Sequence, residues 1–265
     1  MWAFPAWYGS TPSWATVPSI TLAAFGIYQL NRLFDVVEDE INDPGAYERI
    51  AAAKTAMRSA AILAICASLL LSAVLVSLRA TVVLSIVLLL GILYSVPTLR
   101  RAHGKPRRLK QIGSLNNAIP SLAWPLATIL YPAIPHSDLR LLPLLLAMTC
   151  LSCIVFTIEV AWDIRDLRGD VTAEVRTLAT TLGVHRALLV PFMVSSVQAS
   201  VLVLLVSYGV LSALWLLPAG LVVLLPGVAF LWRDALAANR DLSHVLVFMN
   251  VLALLPIYVV GRWVV

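Results

Sequence analysis

Long runs of apolar residues, each closed by a short polar segment, restrict this chain to very few folds. A helix that crosses the hydrocarbon core of a bilayer needs roughly 20 mostly apolar residues. Eight stretches of about that size can be marked, near 15–39, 51–77, 80–96, 115–132, 139–163, 185–207, 210–232 and 243–262. Only 12% of the residues are charged, about half of what a soluble domain carries. The expectation is an all-α, polytopic transmembrane helical bundle, with residues 1–265 forming one membrane domain. The first cation is Arg32, so the basic start of a cleavable signal peptide is missing. Residues 1–14 hold Trp2, Phe4, Trp7, Tyr8 and Trp14. They read as an aromatic segment lying at the membrane interface, where such rings settle.

The cations then set an orientation. Loops near 40–50, 97–114, 164–184 and 233–242 fall on one side of the expected bundle, and short connectors near 78, 134–138 and 208 on the other. Of the 19 Lys and Arg residues, all but Arg32, Arg79, Arg140 and Arg262 belong to the first side. Cation-rich loops stay in the cytoplasm, so that side is expected to face inward and both termini outward. The net charge of +5 is therefore read as loop bias, with no nucleic-acid partner. Cys66, Cys150 and Cys153 lie inside apolar runs and read as small hydrophobes. The Cys150–Cys153 spacing has no second pair or nearby His to complete a zinc site.

Acidic residues gather on the same side, although the inside bias makes no demand on Asp or Glu. The first expected span closes with Asn31-Arg-Leu-Phe-Asp35-Val-Val-Glu-Asp39, and the fifth with Asp163-Ile-Arg-Asp166-Leu-Arg-Gly-Asp170. Spacings of i, i+4, i+8 and of i, i+3, i+7 keep each trio on one face of a continuous helix. Like charges one turn apart repel, and ionisable groups near the membrane face a cavity or a partner. A cation explains both stacks. Oxygen ligands without thiols select Mg²⁺ or a similar hard ion, which bridges carboxylates to substrate phosphates. The chemistry that follows is metal-assisted departure of a phosphate leaving group.

The loop after Tyr94-Ser-Val-Pro97 complements these stacks. It carries Arg100, Arg101, Lys105, Arg107, Arg108 and Lys110, cations suited to charge-assisted bonds with diphosphate oxygens. Lys110 is favoured because it immediately precedes the next span, with Arg101 and Arg108 beside it. Arg165 and Arg168 are interleaved with the second stack and either join that work or pair with its carboxylates.

Together these motifs resemble those of the UbiA superfamily of intramembrane prenyltransferases. Asn31, Asp35 and Asp39 match its first signature, Asn-x-x-x-Asp-x-x-x-Asp. Asn42-Asp-Pro44 resembles the Asn-x-Pro that follows in the branch handling homogentisate and chlorophyllide. Tyr94-Ser-Val-Pro97 and Leu109-Lys110 resemble the middle loop. Asp163 to Asp170, with Arg176-Thr177-Leu178 and Leu182-Gly183, resembles the second signature and its tail. The likeness covers roughly residues 20–190. It departs in showing eight spans where nine are usual, and in carrying Arg32 where many members place Asp.

The resemblance implies a helical bundle around a central cavity and Mg²⁺, two ions, held by Asp35 and Asp39 and by Asp163, Asp166 and Asp170. It implies a polyprenyl diphosphate donor, gripped by Asn31, Lys110, Arg165, Arg101 and Arg108. A hydrophobic or aromatic acceptor, such as a quinone precursor or a lipid, then attacks the allylic cation. The expected setting is a bacterial or archaeal plasma membrane, with the active site on the cytoplasmic side. A terpene cyclase of the same fold and a cation-coupled transporter are the competing readings. Glu159, one turn deeper than Asp163, is a candidate proton acceptor or a structural hydrogen-bond partner. Trp162 and Tyr94 read as packing residues, and His103, His136, His185 and His244 as scattered, without ligand spacing.

Overall fold

The structure, a computed structural model, describes residues 7, 14–42, 44–98, 108–113, 115–239 and 241–261, with Val36, Val37, Glu38, Pro44, Ala46, Val251 and Gly261 described by backbone alone. Among these residues the regular structure is helical throughout. In chain order the helices are α1 (Thr16–Phe34), α2 (Val36–Asn42), α3 (Pro44–Leu75), α4 (Leu78–Ser95), α5 (Leu115–Pro125), α6 (Tyr131–Ala133), α7 (Leu141–Arg165), α8 (Leu167–Thr172), α9 (Leu178–Ser207), α10 (Leu216–Leu231), α11 (Arg233–Ala238) and α12 (Asp241–Gly261).

Six of the eight expected spans are helices long and apolar enough to cross a membrane: α3, α4, α7, α9, the stretch Ala213–Leu231 ending in α10, and α12. The expected span at 15–39 is α1 followed by α2. The one at 115–132 is a column made of α5, a π-helical turn at Leu126–Leu130, and α6. Proline explains that column, because Pro120 and Pro125 inside α5 supply no N–H to the helical ladder. Ser121 and Thr128 donate their hydroxyls to the carbonyls of Asn117 and Trp124 (2.6 and 2.8 Å), holding the turn. In α9 the backbone breaks at Gly183, where φ is 76°, a left-handed value that glycine adopts freely. The membrane-length part of α9 therefore starts beyond Gly183, close to the expected 185.

The bundle buries little and exposes much that is apolar. Leu63, Leu70, Val74, Leu78, Val197 and Leu231 are among the large side chains turned outward. Patches of this kind on a protein in water are rare, and a lipid surround is the setting they fit. The core runs along α7, where Leu144, Ala147, Cys150, Cys153 and Ile154 meet Leu202 of α9, Leu225 of α10 and Ile257 of α12. Cys150 and Cys153 are thus packing residues, while Cys66 is exposed on α3. A second contact joins α1 to α3 at Gly26, where an added Cβ would lie 2.7 Å from Ile65 Cγ1. Small residues of this kind allow membrane helices to approach closely.

In the N-terminal segment, Trp7 is packed within the protein: it is 2% exposed, donates its indole N–H to the Ile257 carbonyl at 3.0 Å, and meets Trp215 edge-on at 5.1 Å. A buried indole needs such an acceptor. Trp14 is exposed; Trp2, Phe4 and Tyr8 lie outside the described residues.

Candidate active site

Both aspartate motifs bend at an aspartate. Asp35 (φ −86°, ψ 25°) separates α1 from α2, and Asp166 (φ −98°, ψ 9°) separates α7 from α8. The single straight helix expected for each trio is therefore corrected to two helices meeting at a motif residue. Short polar side chains such as Asp favour helix ends over helix interiors. At each bend one backbone bond closes the first helix on the aspartate N–H and another opens the next helix on its carbonyl. Asp35 and Asp39 N–H reach the carbonyls of Asn31 and Asp35 at 3.0 and 2.8 Å, and Asp166 and Asp170 N–H reach those of Trp162 and Asp166 at 2.9 and 3.0 Å.

The two bent ends are tied to each other. Asn42, at the end of α2, donates to the Asp166 carbonyl at 3.3 Å and accepts from the Gly169 N–H at 3.2 Å. Gly169 has no room for anything larger: a Cβ there would fall 2.2 Å from Asn42 Nδ2.

Within this frame each carboxylate has its own partners. Asp35 is 8% exposed. Its Oδ1 accepts from Arg108 at 2.6 Å and also from Lys110, and its Oδ2 accepts from Asn31 Nδ2 at 2.6 Å. Arg108 also donates to the Phe34 carbonyl at 2.9 Å. The short helical turn Leu109–Gln111 that carries Lys110 is closed by Gln111 accepting from the Arg108 N–H at 3.1 Å. Asp39 accepts at Oδ1 from Arg32 at 2.9 Å.

On the second motif, Asp163 is gripped by two amides, Asn116 on Oδ1 at 2.8 Å and Asn117 on Oδ2 at 2.7 Å. Asn116 in turn accepts from the Tyr94 hydroxyl at 3.0 Å, so α4, α5 and α7 are joined through one chain of bonds. Asp166 pairs with its neighbour Arg165, whose guanidinium lies 5.7 Å from the Trp162 ring centroid. Asp170 is buried.

Of the residues expected here, Asn31, Asp35, Lys110 and Arg108 meet at one point. Asp163, Asp166, Asp170 and Arg165 stand on the neighbouring helix ends. Arg101 lies outside the described residues. Three features escaped the sequence reading: the Asn116–Asn117 grip, the Arg32–Asp39 pair, and Asn42 as a tie between the motifs. Two adjacent amides at the start of an apolar span were a usable signal, since polar groups at membrane depth find partners.

The donor set fits a hard cation. Asn31 Oδ1 and Asp39 Oδ2 are buried and have no hydrogen-bond partner, which leaves two oxygens on the first motif without a donor. Among the described residues no three acidic, His or Cys side chains gather as a ready-made cage. Mg²⁺ does not need one, because it takes one or two carboxylates and completes its shell with water and phosphate oxygens.

Comparison with known proteins fits this arrangement. A family model described as the UbiA prenyltransferase family matches residues 1–257. No curated protein matches in sequence. Among solved structures, a UbiA homolog from Archaeoglobus fulgidus bound to GPP and Mg²⁺ superposes with a TM-score of 0.70 at 15% identity, covering 99% of this chain and 92% of the other. The same homolog bound to DMAPP and Mg²⁺ gives 0.70 at 14% identity, with 99% and 94% covered. An apo UbiA homolog from Aeropyrum pernix K1 gives 0.59 at 16%, with 94% and 92% covered.

Proposed function

The chain belongs to the UbiA prenyltransferase family, and from that premise we propose that this integral membrane prenyltransferase moves an isoprenyl group from a prenyl diphosphate to a hydrophobic or aromatic acceptor with the help of Mg²⁺. The observation that carries the reading is the pairing of two bent aspartate motifs through Asn42, with Arg108 and Lys110 converging on Asp35. Solved homologs of the same fold hold GPP or DMAPP with Mg²⁺, which supports the donor class. Family membership removes the transporter reading.

Asp35 and Asp39, with Asn31, would hold metal on the first motif, and Asp163, Asp166 and Asp170 on the second, two ions in all. Bound there, Mg²⁺ supplies Lewis-acid stabilisation of the departing diphosphate. The chain's residues do the rest. Arg108 and Lys110 neutralise diphosphate oxygens as the allylic carbon–oxygen bond breaks and its electron pair leaves with the diphosphate. Asn116 and Asn117 hold the Asp163 carboxylate in one orientation. The acceptor supplies the electron pair of the new bond to carbon and loses a proton. Apolar surroundings would be needed to keep out water, which would otherwise quench the allylic cation. The cation bias of the loops supports a site on the cytoplasmic side, in what we propose is a bacterial or archaeal plasma membrane.

The test is diphosphate release by purified protein in lipid from a panel of prenyl diphosphates, with Mg²⁺ or EDTA. Release that requires Mg²⁺ and is lost in Asp35→Asn and Asp163→Asn supports the reading. Full release in EDTA, or in either variant, overturns it. Prenylated acceptor among the products separates transfer from cyclisation.

A further inference from the structure

Arg32 stands inside the first motif, one position after Asn31, where the sequence departs from the family pattern. It lies in the last turn of α1, while Asp39 lies on α2. The bond from Arg32 Nη1 to Asp39 Oδ1 at 2.9 Å therefore crosses the bend at Asp35. The arginine is anchored in turn on Tyr28, one turn earlier on α1: its Nε and Nη2 donate to the Tyr28 hydroxyl at 3.3 and 3.2 Å. One planar fork thus holds two acceptors at fixed angles, a task for which the single ammonium of a lysine is poorly suited.

Arg32 takes Asp39 Oδ1, and Asp39 Oδ2 is buried without a hydrogen-bond partner. Asn31 repeats the arrangement: its Nδ2 donates to Asp35 Oδ2 at 2.6 Å, and its Oδ1 is buried without a partner. Each side chain is held at one atom and offers one buried oxygen, which native folds rarely leave without something to complete it. Stability alone is a poor account of the Arg32–Asp39 pair. The Arg32 side chain is 30% exposed, and ion pairs that water reaches contribute little to folding. A guanidinium that merely competes for the carboxylate is the other reading, and it predicts the opposite response to removal of Arg32.

We propose that Arg32 is a positioning residue for the first motif: anchored on Tyr28, it holds Asp39 by one oxygen and so sets the other, with Asn31 Oδ1, for a small hard cation. This rests on reading the motif as a metal site. Partners that orient metal ligands from behind never touch the ion, yet their removal typically costs about 10- to 100-fold in metal affinity.

The test is Mn²⁺ binding by the full protein in lipid nanodiscs, with inorganic diphosphate present and empty discs as the blank. Mn²⁺ is an oxygen-preferring stand-in for Mg²⁺, and its binding is read from water-proton relaxation. Asp39→Asn first marks the part of the signal that belongs to this motif. Arg32→Gln is expected to weaken that part about tenfold. Arg32→Lys should weaken it too, because the charge stays and the fork is lost. Tyr28→Phe should act in the same direction, and it removes only the anchoring hydroxyl of an exposed side chain. Melting in EDTA should hold in all three. Unchanged or tighter Mn²⁺ binding in Arg32→Gln would mark a mere competitor for Asp39 and overturn the proposal. So would wild-type binding in both Arg32→Lys and Tyr28→Phe, or melting that falls in step with binding. A signal that Asp39→Asn leaves intact sinks the metal reading of the motif, and the proposal with it. A signal lost in Asp39→Asn but kept in the Arg32 and Tyr28 variants sinks the positioning role alone.

Discussion

Asn42 and Gly169 lie in contact across the two aspartate motifs, with the Asn42 side chain bonded to both the Gly169 N–H and the Asp166 carbonyl. The contact is possible because residue 169 has no Cβ; one built there would sit 2.2 Å from the Asn42 amide nitrogen.

Gly169→Ala should therefore displace the Asn42 side chain, break its two bonds to α8 and loosen the alignment of the two aspartate motifs. Overpacking of this kind typically costs about 1–3 kcal/mol, and a misplacement of about 1 Å at a reacting centre can lower rate about 100-fold. Melting temperature and diphosphate release measured on one preparation check this, with release falling far more than stability.

Asn117→Ala should leave one oxygen of Asp163 without its donor inside the bundle. A hydrogen bond to a charged group is worth about 1.5–3 kcal/mol, so the melting temperature should fall. Asn116→Ala should act in the same direction and also strand the Tyr94 hydroxyl, which donates to Asn116 at 3.0 Å. Because Asn116 and Asn117 share one carboxylate, the double variant should lose less than the summed effects. Thermal melts of the three variants decide it.

Lys110→Ala should raise KM for the prenyl diphosphate and lower kcat/KM by about 10- to 100-fold, the range expected for one charge-assisted contact to the leaving group. Lys110→Arg should recover part of this. Steady-state kinetics at saturating Mg²⁺ would show it. An unchanged kcat/KM in Lys110→Ala would remove this residue from the diphosphate site.

Trp7→Ala should act on stability alone. The indole is buried against Trp215 and bonded to Ile257, and truncating a buried Trp costs about 3–5 kcal/mol. Trp7→Phe should restore the packing and lose the bond to the carbonyl. The readout is melting in lipid, with turnover per folded molecule unchanged.

How much of this was legible beforehand follows from which forces act locally. Apolar length fixed where helices run, so the expected spans fall within several residues of those found, and even the start of the membrane part of α9 was visible. The aspartate motifs were visible as well, because stacked like charges beside an apolar run are hard to explain without a counter-ion. The bends at Asp35 and Asp166 were not. They depend on how α2 and α8 pack, and periodicity along one helix does not see another. Asn116, Asn117 and Asn42 were hidden for the same reason: an amide shows its role only when its partner, 46 or 124 positions away, is brought to it. Trp7 read as one of a cluster of interfacial aromatics because such a residue near a terminus carries no sign of the carbonyl it meets 250 positions later.

The clamp of Arg108 and Lys110 on Asp35 has a consequence for how substrate enters. Asp35 Oδ1 accepts from two cations at once. If that carboxylate were to hold a metal, Arg108 and Lys110 would each need another anion, and a diphosphate would supply it. Donor and metal would then be expected to bind together, each weak without the other.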